Sequence, residues 1–231
     1  MEVPSNLDRA IRQRDLVPPA ALAGYHVLIV GVGAIGRQVA VQLAAMGAES
    51  MTLVDPDIVG IENLAVQGFA HSDLGRHKVE ATAEACRALL PGIRIQSEPE
   101  RFRRLTFHGL ESLSTPWRER IATFCCVDTM SSRRIVWETA RYRSAFFVDG
   151  RMAAETLRVI CSVSPGTDDH YATTLFEDAR AHPAPCTGRS TLYAASVAAG
   201  VMLSRFAMHL RNQTPARDVL LQLTSDEWTV L

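Results

Sequence analysis

Hydrophobic positions along the chain fall into blocks whose period switches between strand and helix. Val27 to Val30 is an unbroken apolar run, and a second one ends at Asp55; runs of this kind suit strands buried on both faces. Between them Ile35, Val39, Leu43 and Met46 recur at helical spacing. Past a loop, Val79, Thr82, Ala83 and Cys86 form the apolar face of another helix, with Leu89 and Leu90 at its end and Pro91-Gly92 stopping it. Ile93 to Ser97 alternates as a strand should. Glu98 to Arg120 is charged and irregular, with a helical pattern around Leu105 to Leu113. Ile121 to Val127 reads as a buried strand with Asp128 at its carboxyl end, and Thr129 to Ser132 open a helix that runs through Arg143. A short strand, Ala145 to Val148, ends at Asp149-Gly150, where the aspartate reads as a turn residue; Thr156 to Val163 is one more strand. Ser164 to Arg189 has neither period, and loops of that length inside a domain are commonly functional. Ser190 to Leu210 is an apolar, alanine-rich helix, suited to deep burial or a subunit interface. Val219 to Leu223 and Glu227 to Leu231 read as a closing hairpin. Strands alternating with helices predict an α/β fold, doubly wound and mostly parallel, with a β-rich C-terminal portion.

The connection after the first strand carries the clearest chemistry. Gly31, Gly33 and Gly36 form a G-x-G-x-x-G turn between strand and helix, the pattern of a Rossmann-like nucleotide site. The first glycine permits the tight turn, the second lets the backbone approach a phosphate, and the third packs helix against strand. The helix N-terminus offers free N–H groups to an anion. Asp55 follows about 20 residues on, where a carboxylate can bind ribose hydroxyls. Lys78 begins a helix, where a cation opposes the helix dipole; a nearby anion would account for it. Asp128, at the end of its strand, is placed to face the same crevice as Gly33.

Composition removes several function classes. A formal net charge of −1 gives no electrostatic case for nucleic acid or an anionic membrane. Apolar stretches are too short to span a bilayer, and the first 25 residues are too charged for a secretory signal. Five cysteines without framework spacing imply reduced thiols and a cytoplasmic setting. There is no C-x-x-C, hence no paired-cysteine zinc site. Cys86, Cys125, Cys126 and Cys161 lie in apolar patterns and read as packing residues. Cys186 stands apart, in the long loop just ahead of a helix N-terminus, where thiolate formation is favoured.

Assembled, these residues resemble the ThiF/MoeB/HesA family of adenylating enzymes, the catalytic core shared with ubiquitin-activating enzymes. The likeness rests on RAIRQ near the start, GVGAIG, LVDPD, ENLAVQ, GRHKVEA, CVDTMSSRR, the loop with PCT, and the long helix beyond. It implies that residues 1–24 are an arginine-containing leader and 25–231 a single adenylation domain with a crossover loop at 164–189. Gly31, Gly33, Ala34, Gly36, Asp55, Asn63 and Lys78 would then hold ATP, Asp128 would hold Mg²⁺, and Arg12 would complete the site of a neighbouring subunit in a homodimer. Cys186 falls on the family's catalytic or sulfur-carrying cysteine. The implied reaction activates the C-terminal carboxylate of a small ubiquitin-like or sulfur-carrier protein, with passage to Cys186 or to a conjugating partner.

Two departures qualify the likeness. Where the family often has an arginine three residues after the asparagine, this chain has Val66, so Arg37 or Arg133 replaces that phosphate contact or it is lost. The zinc-binding cysteine pairs of many sulfur-transfer members are absent as well. The competing readings are an adenylating enzyme of sulfur-transfer or tRNA-modification type, a nicotinamide-dependent dehydrogenase on the same fold, and a noncatalytic subunit of a heterodimer. Lys78 and Asp128 favour ATP over nicotinamide.

Overall fold

A computed structural model describes residues 9–104, 120–177 and 190–231 of the chain. Its elements run α1 (Pro19–Ala23), β1 (His26–Val30), α2 (Ala34–Met46), β2 (Ser50–Val54), α3 (Ile61–Gln67), α4 (Lys78–Leu89), β3 (Arg94–Glu98), β4 (Ile121–Cys125) and α5 (Met130–Ala140). There follow β5 (Ser144–Ala153), β6 (Thr156–Ser162), a single-turn α6 (His170–Thr173), α7 (Leu192–Leu210), β7 (Asp218–Gln222) and β8 (Glu227–Val230).

All eight strands form one sheet in the order β3-β2-β1-β4-β5-β6-β7-β8. Pairings from β3 through β5 are parallel; those from β5 to β8 are antiparallel. This is the doubly wound, mostly parallel sheet with a β-rich end that the hydrophobic pattern predicts. Strand order reverses between β1 and β4, and ligands of such sheets bind at the carboxyl ends of the strands flanking that point. Val30 pairs with Cys125, so the turns after β1 and β4 leave the sheet side by side.

Alternate side chains feed two cores, as a pleated strand requires. Val27 and Ile29 pack with α2, α4 and α7 on one face; Leu28 and Val30 join Val136 and Trp137 of α5 on the other. The alanine-rich α7 buries Ala194, Ala195, Ala198, Met202 and Phe206 completely, yet leaves Tyr193 and Val197 exposed. It serves the core whatever else it does.

Two expectations are corrected here. First, β5 does not stop at Val148: it continues through Asp149 and Gly150 to Ala153. Its antiparallel register with β6 runs over the same residues. Asp149 is fully buried rather than in a turn, because arginines neutralise it, and Gly150 is small because Met202 of α7 presses against it. Second, the polar, arginine-rich composition of the leader reads as a solvated helix, but its described part, residues 9–24, is docked against the domain. Ala10 and Val17 are buried, Arg9 donates to the Leu89 carbonyl at 2.9 Å, and Gln13 donates to that of Met46 at 2.9 Å. These side chains cap the open C-terminal ends of α4 and α2, whose last carbonyls lack helical partners. The helix expected around Leu105 to Leu113 lies outside the described residues.

Candidate functional site

The three motif glycines differ in what they tolerate. Gly31 has φ +89°, and a Cβ there would meet the Cys126 carbonyl oxygen at 2.6 Å. A Cβ on Gly36 would overlap the Gly31 carbonyl oxygen. Gly31 thus makes the turn, and Gly36 closes helix on strand. Gly33 is open: a Cβ there would have only Gln67 Nε2 within 4.0 Å. Gly33 precedes Ala34, the first residue of α2, so the free N–H groups of the helix face accessible space. Above it, Gln67 Oε1 is buried with no hydrogen-bond partner. An open glycine and a helix N-terminus fit an anion such as a nucleotide phosphate, while the orphaned Gln67 oxygen, an acceptor, fits a donor such as a ligand hydroxyl.

The acid and the base at this mouth are tied to the frame. Asp55 accepts from Val32 N–H at 2.6 Å and from Asp57 N–H at 2.8 Å, bracing the glycine turn against the loop after β2. Burial pushes its carboxyl above the usual range, against the pull of those N–H groups and of Lys78. Each oxygen keeps a second lone pair, so bracing the loops and receiving a ribose are compatible duties. Asn63 is buried, and its Oδ1 accepts from Gly60 N–H at 2.9 Å, fixing the start of α3. Lys78 is the first residue of α4; its side chain is 7% exposed and donates to Asp57 Oδ2 at 2.8 Å. The anion that the sequence demands beside this lysine is therefore present within the chain. Asp57 was legible in LVDPD but reads there as a turn residue; its own side chain is 61% exposed.

On the other side of the switch point, Asp128 sits exposed in the turn between β4 and α5. Cys126, two residues before it, donates its N–H to Val30 at 2.8 Å and lies against Gly31. The glycine turn and the Asp128 turn are in direct contact. Among the described residues no group of three or more metal-ligating side chains occurs. A single free carboxylate fits Mg²⁺, which takes one or two carboxylates plus water and substrate phosphate rather than an all-protein cage.

Two expected participants stand elsewhere, and a third falls outside the described residues. Arg12 is exposed on the segment that Arg9 and Gln13 dock at the C-terminal end of α2, about 20 Å along a 13-residue helix from the chain's own glycine turn. Cys186 lies outside the described residues. Arg133 is buried, with its guanidinium committed to Asp149 and the Val127 carbonyl. Arg37, by contrast, is only half-buried and stacked 4.7 Å over the Phe69 ring; each of the two arginines has a buried Nε with no partner. Burial lowers the pKa of Arg37, against the opposing pull of Asp73. The other cysteines are inert by environment: burial pushes the thiols of Cys86, Cys125 and Cys161 up to about 12.

An eight-stranded doubly wound sheet with a glycine-rich turn at its switch point defines a Rossmann-like fold. Within that class, the ThiF family model matches residues 9–225, and the chain belongs to the ThiF family. It is 33% identical over 96 residues to the ATP-dependent ubiquitin transferase-like protein Cap2 of Pseudomonas aeruginosa, covering 40% of this chain and 18% of that one. It is 32% identical over 119 residues to the adenylyltransferase and sulfurtransferase MOCS3 of Arabidopsis thaliana, covering 48% of this chain and 25% of that one. The chain thus spans about a quarter or less of the length of these curated relatives. Among solved structures, PaaA superposes with a TM-score of 0.76 at 17% identity, covering 99% of this chain and 84% of that one. Escherichia coli MccB with ATP superposes with a TM-score of 0.72 at 16% identity, covering 98% and 72%. Both share the fold.

Proposed function

We propose that this chain is an ATP-dependent adenylating enzyme acting on the C-terminal carboxylate of a small ubiquitin-like or sulfur-carrier protein. One observation carries the reading: buried Lys78 and exposed Asp128 flank the glycine turn at the switch point, a cation and a free carboxylate suited to a metal-bound triphosphate. In support, Cap2 is named an ATP-dependent ubiquitin transferase-like protein, MOCS3 an adenylyltransferase and sulfurtransferase, and MccB has been solved with ATP.

Acyl-adenylate formation brings two anions together, a carboxylate and an α-phosphate, while pyrophosphate leaves. Catalysis is then mostly positioning and charge neutralisation. The α2 N-terminus and Lys78 would hold the phosphates, Asp57 giving up the lysine to the incoming nucleotide. Asp55 and Asn63 would fix the ribose side. Arg37 is the arginine left to serve for the one that Val66 replaces, since both terminal nitrogens of Arg133 are committed to Asp149 and to backbone carbonyls and its unpaired Nε is buried. Mg²⁺, held by Asp128, would supply charge neutralisation at the departing pyrophosphate. No general base is needed, because a C-terminal carboxylate is already ionised at neutral pH. Arg12 would act on a second copy of the chain in a cytoplasmic homodimer, and Cys186 would receive the acyl group or sulfur after adenylation.

Calorimetric titration tests the cofactor class. Mg-ATP should bind and NADH should not; tight NADH binding with no response to ATP would sink the adenylation reading in favour of a dehydrogenase.

A further inference from the structure

Arg133 poses a physical problem that the proposed chemistry does not solve. It lies in the second turn of α5, where a cation opposes the helix dipole. It is also 4% exposed, and burying a guanidinium is expensive unless it is paired and hydrogen-bonded. Its partners account for that position. Nη1 donates to the Asp149 carboxylate and, at 3.3 Å, to the Gly150 carbonyl; Nη2 donates to the Val127 carbonyl. Val127 immediately precedes Asp128. On the other side Thr129 caps α5, its Oγ1 accepting from Ser132 N–H at 3.2 Å. The Asp128 backbone is therefore clamped from both sides while its side chain stays exposed.

Asp149 is in turn over-determined. Arg151 Nε donates to its Oδ2 at 2.6 Å, and the Tyr171 hydroxyl donates to the same oxygen at 3.1 Å. Arg151 is anchored through Nη1 to the Thr174 carbonyl and through Nη2 to Thr174 Oγ1, both at 2.9 Å. Two guanidinium groups share one buried carboxylate, and that carboxylate holds Arg133 in place. None of these side chains lies open at the glycine turn; their product is a fixed peptide at residues 127–129.

We infer that Arg133 and Asp149 are positioning residues for the metal-binding carboxylate, holding Asp128 through the Val127 carbonyl in the orientation that a divalent cation requires. The inference rests on the adenylation reading and on Asp128 as the Mg²⁺ ligand. Supporting groups of this kind tune metal affinity without touching the metal, and losing one costs on the order of 10- to 100-fold.

The test is ATP affinity measured by calorimetry with saturating Mg²⁺ and with EDTA; their ratio is the metal-dependent gain. Arg133→Lys keeps the charge near Asp149, but a point cation cannot fork to both Asp149 and Val127. It should cut the gain by about tenfold or more, leave metal-free ATP affinity within about twofold, and melt as a folded protein. Asp149→Asn, isosteric and uncharged, should show the same selective loss, and serves alone if the lysine variant does not fold. In an Asp128→Ala background, Arg133→Lys should change the gain no further. A folded variant with the wild-type gain overturns the inference, as does one whose two affinities fall equally, which marks a purely structural pair. If the wild-type chain binds no ATP, the adenylation reading itself fails.

Discussion

His26 begins β1 with both ring nitrogens against hydroxyls, Nδ1 at 2.8 Å from Ser50 and Nε2 at 3.0 Å from Thr52. Burial pushes its pKa down to about 4 from 6.5. Between those values the unfolded chain binds a proton that the folded chain refuses. Stability should therefore fall as pH drops from 6.5 towards 4, by on the order of 3 kcal/mol from this residue. Urea titrations across that window should show a clearly shallower pH slope in His26→Gln; equal slopes would refute the assignment. Residues differ in how plainly the sequence announces them. Gly31 and Gly36 were legible because their constraint is local, a turn and a contact set within a few residues. Asp149 was not: its partners Arg133 and Tyr171 lie 16 and 22 residues away, and only tertiary packing brings them together. Asp57 was missed for a similar reason, since its pairing with Lys78 spans 21 residues.

At the scale of elements, the β1–α2 unit makes a sharp distinction between two identical substitutions. Gly36→Ala places a methyl group on the Gly31 carbonyl, backbone that cannot move aside. It should cost roughly 3 kcal/mol or more and abolish nucleotide binding with it. Gly33→Ala meets only the amide of Gln67; it should melt near the wild type while weakening ATP by about tenfold, because the methyl group occupies the approach to the helix N-terminus. Thermal melts paired with ATP titrations separate the two. Element type followed from periodicity nearly throughout, since strands buried on both faces and helices with one apolar stripe leave different signatures. The exceptions were short elements or ones governed by partners: α3 lies in a stretch that reads as a loop, β5 ran on past a dipeptide that looks like a turn, and α6 is a single turn within a stretch lacking any period.

For the molecule as a whole, the docked leader fixes where Arg12 can act. Arg9 and Gln13 hold it against the helix ends opposite the glycine turn, so on the adenylation reading the role of Arg12 falls to the site of a neighbouring copy. Mixing Arg12→Ala chains with Asp128→Ala chains should restore part of the adenylation activity, because each mixed dimer keeps one intact composite site. Heterodimers that form yet recover nothing would remove Arg12 from the mechanism. The Asp57–Lys78 pair has a further consequence for the working cycle. The lysine never lacks a counterion: a tethered carboxylate holds it at rest, and on the adenylation reading a phosphate displaces that carboxylate during turnover. A tethered competitor does not dilute away, since its local concentration is set by the loop that carries it. Departure of a spent phosphate is then an exchange completed from within the chain, and the site returns to rest without exposing a bare buried charge.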